Sequence, residues 1–174
     1  MIGRLVLAAA ALLASPAVSA QNADKPIAEV AADLAFGYCP LYLAGQFAIT
    51  GNPVLKDFGF TETIDTRQHA RGEIKVVGAK RGDGELGFGG IEGQICQVMV
   101  MGPNRAAAWD MLHKNMAFAG FDLKPDPANT GPKNGAKVET YKAPVEGQFI
   151  YVQLVEADVA PTPMVMAQIF VMDQ

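Results

Sequence analysis

The predicted secondary structure follows the same order twice, and this repeated order limits the fold more than any other feature of the sequence. Each half consists of a helix, a Gly-Phe pair, a polar loop and three strands, with half-repeats at residues 24–101 and 103–172. Strands joined by short turns pair antiparallel. The order therefore predicts an α+β fold in one small domain, residues 21–174. We expect an antiparallel sheet of about six strands with two main helices on one face, arranged as a tandem α-β-β-β repeat.

Two amphipathic helices are predicted from the spacing of apolar residues. In the first helix, Ile27, Val30 and Leu34 share one helical face, and Asp24 is suited to cap its start. The second helix is predicted over residues 103–119 and is followed by a glycine, which favours helix termination.

The strands are predicted from β-branched residues between turn-forming residues. They cover residues 73–80, 85–89, 94–101, 136–142, 148–156 and 163–172. The polar segment 61–71 is interpreted as a connection, the glycines within 82–93 as hairpin turns, and segment 122–135 as a long loop.

The order of these elements resembles that of secreted β-lactamase inhibitory proteins and of small outer-membrane assembly factors built from helix-then-meander units. The resemblance covers element order only, because no sequence motif of either family is present. It implies an α+β meander fold and carries no function. An inhibitor or an envelope-assembly partner fits only by this analogy.

The first twenty residues have the features of a secretory signal peptide. Arg4 supplies a positive charge, residues 5–14 form an uninterrupted apolar run, and Val18 and Ala20 are the small residues of a cleavage site. The run is too short to cross a hydrocarbon core, which needs about 20 residues. We therefore predict that residues 1–20 are cleaved, that no transmembrane segment remains, and that the mature protein is periplasmic or secreted.

The chain has two cysteines, Cys39 and Cys96, and both remain after signal cleavage. Two cysteines in an exported chain most simply form one disulfide. The spacing does not match the Cys-x-x-Cys motif of redox proteins. We expect a structural disulfide that stabilises the fold by about 4 kcal/mol in the chain-entropy model.

Several functions are disfavoured by the net charge of the chain and by residue types that the mature chain lacks. The net charge of −4 argues against nucleic acid as a partner. Both serines, Ser15 and Ser19, belong to the signal peptide, which excludes a serine nucleophile in the mature protein. His69 and His113 match no metal-ligand spacing, so we interpret both as solvated surface residues and expect no cofactor.

One face of the predicted sheet carries a mixture of methionine, glutamine and aromatic residues. The tripeptide Met-Val-Met occurs at 99–101 and again at 164–166, and the period of two places both methionines of each copy on one face. The alternate positions are aliphatic, so we assign those to the helices and the mixed set to an open or partly covered face. The mixed set comprises Gln97, Met99, Met101, Phe149, Tyr151, Gln153, Met164, Met166 and Gln168.

This composition is typical of an interaction surface, since aromatic residues and methionine are enriched where proteins meet. We predict an exported binding protein without catalytic residues, whose mixed face meets a protein partner or a second copy of the chain. In the other interpretation, loop 122–135 covers this face.

Two alternative functions follow from other residues of the same chain. The first is binding of Cu(I), because thioethers are soft ligands; its ligands would be Met99, Met101, Met164 and Met166. The second, and the least supported, is a carboxylate-based hydrolase using pairs such as Asp83 and Glu85, which lie at a predicted turn.

Overall fold

An antiparallel sheet of nine strands organises residues 24–158 and 162–173, which are the residues that the computed structural model describes. The predicted signal peptide, residues 1–20, lies outside them. The strands are β1 (Ile64–His69), β2 (Gly72–Arg81), β3 (Gly84–Ile91), β4 (Ile95–Met101), β5 (Lys124–Pro125), β6 (Gly131–Lys133), β7 (Ala136–Val145), β8 (Gln148–Ala157) and β9 (Met164–Asp173). Their order in the sheet is β1-β2-β3-β4-β9-β8-β7-β5, and β6 also pairs with β7.

The helices precede the strands of each half. They are α1 (Ile27–Asp33), a π-helical turn (Leu34–Tyr38), α2 (Cys39–Leu43), α3 (Pro53–Asp57) and α4 (Arg105–Asn115). Asn52 caps α3, since its Oδ1 accepts a hydrogen bond of 3.0 Å from the Val54 N–H. The predicted cap of α1 by Asp24 is wrong. The Ile27 N–H donates instead to Asp83 Oδ2 at 2.7 Å, across 56 residues of sequence.

The helices cover the aliphatic face of the sheet, as the alternation of the strands predicts. Helices α1, α2 and α4 contact β4, and α4 also contacts β8 and β9. Beneath them, the aliphatic side chains of the central strands are at most 2% exposed; they include Val98, Val100, Val152, Leu154, Val165 and Ile169. This covered face is the main hydrophobic core.

The predicted disulfide between Cys39 and Cys96 is confirmed, and it ties the start of α2 to β4 within the core. It closes a sequence separation of 57 residues. Disulfides persist in oxidising environments, so this bond is compatible with an extracellular location.

The α+β class is confirmed, but the sheet has more strands than the expected six. Segment 61–71, predicted as a connection, contains β1, which pairs with β2 from Ile64↔Val77 to His69↔Gly72. Five of its six side chains are exposed, so β1 is held in the sheet by backbone pairing. Its sequence therefore shows no alternation of apolar and polar residues. Loop 122–135 likewise contributes the short strands β5 and β6.

The two halves of the chain meet in the middle of the sheet. Strands β2–β4 form one antiparallel meander and β7–β9 form another, and β4 pairs antiparallel with β9. The tandem repeat itself stays a prediction. The β4–β9 pair nevertheless joins the two Met-Val-Met segments, which are distant in sequence.

Candidate binding face

The face of the sheet opposite α1, α2 and α4 carries all nine residues of the predicted mixed set, and we call it the open face. They alternate along β4, β8 and β9 with the buried aliphatic residues of the covered face. All nine side chains are half-buried. The open face therefore combines partial exposure with a mixture of apolar and uncharged polar side chains.

The four methionines lie together in two cross-strand pairs, which we call the methionine end. Met99 lies opposite Met166, and Met101 lies opposite Met164, because β4 and β9 are neighbours in antiparallel register. Directly opposite residues in such a pair have Cβ atoms about 4.5–5.5 Å apart. The structure thus brings together residues that the sequence could only place on separate strands.

The glutamines form a row across three strands, one step along the sheet from the methionines. Gln168 lies opposite Gln97 on one side and opposite Gln153 on the other. Gln153 Nε2 donates to the Thr140 hydroxyl at 3.2 Å. Within the described part of the chain, the Gln97 and Gln168 side chains make no hydrogen bond, which leaves two adjacent amides free to donate and accept.

The aromatic residues occupy the other end of the open face, which we call the aromatic end: Phe149, Tyr151 and Phe170. Tyr151 and Phe170 stack with ring centroids 5.2 Å apart and an interplanar angle of 6°, and Phe149 lies 6.3 Å from Tyr151. Phe170 packs with Ile91 and Ile95 in a small hydrophobic cluster separate from the main core. This end of the face is therefore closely packed and presents aromatic surface.

Cations surround the aromatic end. The Arg71 guanidinium lies 5.9 Å from the Phe170 ring centroid, and Lys142 Nζ lies 5.5 Å from that of Phe149. Arg67 is opposite Ile74 in the same row of the sheet as Phe170, but it lies on β1, separated from β9 by three strands, and lines the groove described below. Lys142 has a carboxylate 3.5 Å away, that of Asp126. Among the described residues, neither arginine forms an ion pair.

A groove of about 590 Å³ runs across the methionine end from β1 to β9. Its floor includes Gly87 on β3, and its walls include Asp65, Gln97, Met99 and Met101. Sequence reasoning missed this groove for two reasons. The polar segment containing Asp65 gives no strand pattern, and the glycines within 82–93 resemble turns, although most of them lie in β3.

The surroundings of two glycines in β3 explain why these positions carry no side chain. A Cβ on Gly89 would lie 2.0 Å from the Lys75 carbonyl oxygen, and its φ is +151°, a conformation that favours glycine. A Cβ on Gly87 would lie 2.7 Å from the methyl group of Met99, which occupies that space. The glycines thus allow the Met99 side chain to lie against β3.

Loop 122–135 covers only one margin of the open face. The Asp126 carboxylate accepts a 2.8 Å hydrogen bond from Asn129 Nδ2, and the Thr140 hydroxyl donates to the Asn129 carbonyl at 2.8 Å. These contacts fix the loop against β7, where Val138 and Thr140 are buried. The loop therefore explains the burial of β7 positions, whereas the mixed set remains half-buried.

A second polar cluster, missed by the sequence analysis, joins α4 to β7. His113, interpreted from sequence as a solvated residue, is half-buried, with Nε2 2.7 Å from Glu139 Oε2 and Nδ1 2.9 Å from the Trp109 carbonyl oxygen. Both partners are acceptors, so the imidazolium form satisfies both contacts. Lys137 Nζ lies 2.9 Å from Glu139 Oε1 and 4.4 Å from the Trp109 ring centroid. This cluster holds the helix to the sheet.

The cluster shifts the pKa of two of its members. Partial burial disfavours ionised Glu139, but hydrogen bonds from His113, Lys137 and Tyr141 outweigh it and lower its pKa to about 2. Burial, and then the hydrogen bond to Glu139, raise the pKa of Tyr141 to about 12. Glu139 is therefore ionised at neutral pH, and its carboxylate oxygens accept hydrogen bonds from these three residues.

The carboxylate pair considered for hydrolysis is engaged in local structure. Asp83 Oδ1 lies 3.2 Å from Arg81 Nε, while its other oxygen accepts from the Ile27 N–H. Glu85 Oε1 lies 3.9 Å from Lys80 Nζ.

Within residues 24–158 and 162–173, no three His, Cys, Asp or Glu side chains are grouped so as to hold a metal ion. No helix in these ranges is long and apolar enough to span a membrane.

Comparisons with protein families, with curated proteins and with solved structures find no match to this chain. The geometry of the open face is therefore the basis for assigning a function.

Proposed function

We propose that this is an exported binding protein that captures a protein partner on its open face. The observation that carries the proposal is the difference between the two faces of the same central strands. The helices bury the central aliphatic side chains on one face, whereas the methionines, glutamines and aromatics of the mixed set on the other stay half-buried. Partly exposed surface of this composition is characteristic of protein interfaces.

The free amides of Gln97 and Gln168 favour a polypeptide as the ligand. Each side-chain amide offers both a donor and an acceptor, which complements the peptide groups of an extended segment. A partner that covered these amides without pairing them would pay a desolvation cost of about 1–3 kcal/mol for each group left unpaired. The glutamine row therefore selects partners with accessible backbone.

The charges around the aromatic end favour an acidic segment. Although the chain as a whole has a net charge of −4, Arg71 and Lys142 lie at the aromatic end, and Arg67 lies in the same row of the sheet on the edge strand β1. In the described part of the chain, the two arginines form no ion pair with a carboxylate. The proposed partner segment thus combines apolar side chains, which lie on Tyr151, with carboxylates that reach these arginines.

Selection from a displayed peptide library tests this proposal with a defined ligand. Peptides selected on the mature protein should be rich in Asp, Glu and apolar residues, and their binding should weaken as salt increases. Binding should fall by about tenfold or more in Arg71→Gln and Tyr151→Ala, because each change removes a central contact. Asp110→Ala, an exposed change on α4, is the matched control and should leave binding unchanged.

Two results would overturn the proposal. One is selection of peptides whose binding is the same in Arg71→Gln, Tyr151→Ala and wild type, with all three proteins folded. The other is a salt-dependent dimer in sedimentation that Arg71→Gln dissociates, which would identify a second copy of the chain as the occupant instead of an acidic segment.

A further inference from the structure

We propose that the methionine end of the open face binds a soft monovalent cation, Cu(I) or its analogue Ag(I), through the thioether sulfurs of Met99, Met101 and Met164. This inference goes beyond the proposed function and does not depend on it. The two sites are adjacent, since Gln97 and Arg67 also line the groove, but the ligands of the cation would be the methionine sulfurs alone.

The three methionines are neighbours because β4 carries two of them on one face and strand register places the third beside them. Met101 and Met164 are directly opposite each other on β4 and β9, and Met99 is two residues from Met101 on the same face. All three line the one groove. Methionine has an unbranched, flexible side chain, so a change of rotamer can bring three thioethers that line one groove to a common cation. The fourth methionine, Met166, is opposite Met99 but does not line the groove.

The arrangement of β3 leaves room for these side chains. The methyl group of Met99 occupies the space above Gly87 that any larger residue would fill. Two carboxylates, Asp65 and Glu85, and two cations, Arg67 and Lys80, also line the groove. Their charges balance, so the choice of cation rests on the three sulfurs.

The ligand chemistry defines which cation fits. Thioethers are soft ligands that select Cu(I), whereas Zn²⁺ and Cu²⁺ prefer imidazole, carboxylate or thiolate ligands. The groove is lined by neither histidine nor cysteine. Cys39 and Cys96 are joined in the disulfide, and the described residues include no free cysteine. A soft cation bound by the oxidised protein would therefore be bound by methionine sulfur and not by a thiolate.

Titration with Ag(I), which avoids the oxidation of Cu(I) in air, tests the site directly. In mature oxidised protein labelled with ¹³C at the methionine methyl groups, the signals of Met99, Met101 and Met164 should shift and saturate at one equivalent. Those of Met111 on α4 and of the exposed Met172 on β9 should stay in place. The same titration with Zn²⁺ should shift none of them.

Leucine variants give the quantitative test, because leucine keeps the volume of methionine and removes its sulfur. Met101→Leu and Met164→Leu should each weaken Ag(I) binding by about tenfold or more, since each loses one of three ligands. Met172→Leu changes the same strand and the same face outside the groove, and is the matched control. Equal affinities in Met101→Leu and Met172→Leu, or shifts spread over all methionines without saturation, would overturn the site.

The silver titration contains no peptide, so its outcome is independent of partner capture. Failure of Ag(I) binding with intact peptide binding would remove only the cation site. Loss of peptide binding with a saturable, methionine-specific Ag(I) site would remove only the proposed partner.

Discussion

The two faces of the central strands are built from the same backbone but have different properties. On the covered face, Val98, Val100 and Leu154 are at most 1% exposed and pack beneath helices. On the open face, Met99, Gln97 and Gln168 remain half-buried and offer a thioether and two amides. The comparison shows that the alternation along a single strand produces one buried face and one partly exposed face, because neighbouring residues point to opposite sides.

The difference also shows how the chain stabilises a sheet that has one open side. The covered face gains most of the hydrophobic burial and contains the disulfide. The open face is stabilised by smaller contacts, such as the Tyr151–Phe170 stack and the small cluster around Phe170. Substitutions on the two faces should therefore differ strongly in their effect on the free energy of unfolding.

The largest effect is expected from removing the disulfide on the covered side. Replacing both Cys39 and Cys96 by alanine should lower the free energy of unfolding by about 4 kcal/mol, since the unfolded chain regains the entropy of the closed loop. Urea denaturation of the variant against the oxidised wild type measures this. A loss below about 1 kcal/mol would show that the bond contributes little to this face.

The most direct comparison of the two faces uses adjacent residues of β8. Leu154→Ala should cost about 2–5 kcal/mol, because it leaves a cavity in the core. Gln153→Ala should cost less than about 1.5 kcal/mol, the net worth of its hydrogen bond to Thr140. Equal losses in chemical denaturation would mean that both faces are internal.

A pH-dependent effect is expected where α4 meets β7. The pKa of Glu139 is lowered from its ordinary value of 4.5 to about 2 in the folded protein. Its contribution to stability is therefore complete above pH 4.5 and is lost as the pH falls towards 2. We expect Glu139→Gln to be less stable than wild type at neutral pH by on the order of 1–3 kcal/mol.

The pH profile separates this interaction from a general packing defect. The difference in the free energy of unfolding between wild type and Glu139→Gln should shrink between pH 4.5 and 2. Other carboxylates titrate equally in both proteins and cancel in the difference. A difference that stays constant over this range would contradict the assigned role of the Glu139 carboxylate.

The smallest effect is expected from a charge placed on the open face. Met166→Glu should change the free energy of unfolding by less than about 1 kcal/mol, because the new carboxylate can reach water. Thermal unfolding followed by circular dichroism measures the change. Strong destabilisation would show that this position is internal and would remove the open face as a binding surface.

The sequence predicts which residues share a face but not which strands are neighbours. The period of two in segments 99–101 and 164–166 is local, so it places each methionine pair on one side of its own strand. The pairing of Met99 with Met166 depends on the register of β4 against β9. That register is a long-range property, and one sequence carries no local signal for it.

The missed elements have physical explanations of the same kind. Strand β1 is a polar edge strand held by backbone hydrogen bonds, so its sequence lacks the alternation of apolar and polar residues that marks a half-buried strand. Gly87 and Gly89 resemble turn residues, although Gly89 is required by the close approach of the Lys75 backbone and Gly87 leaves space that the Met99 side chain fills. The contact between His113 and Glu139 joins a helix to a strand across 26 residues. In each case the determining neighbour is distant in sequence.

Site-specific photo-crosslinking tests the central claim, that the open face is the binding surface, most directly. Benzoylphenylalanine would replace Tyr151 on the open face and, as the matched control, Asp110 on the opposite side of the sheet, in cells that export the protein. The account predicts adducts from position 151, mapped to a segment rich in carboxylates and apolar residues, and none from position 110. Adducts from position 110 alone, or equal adducts from both positions, would contradict it.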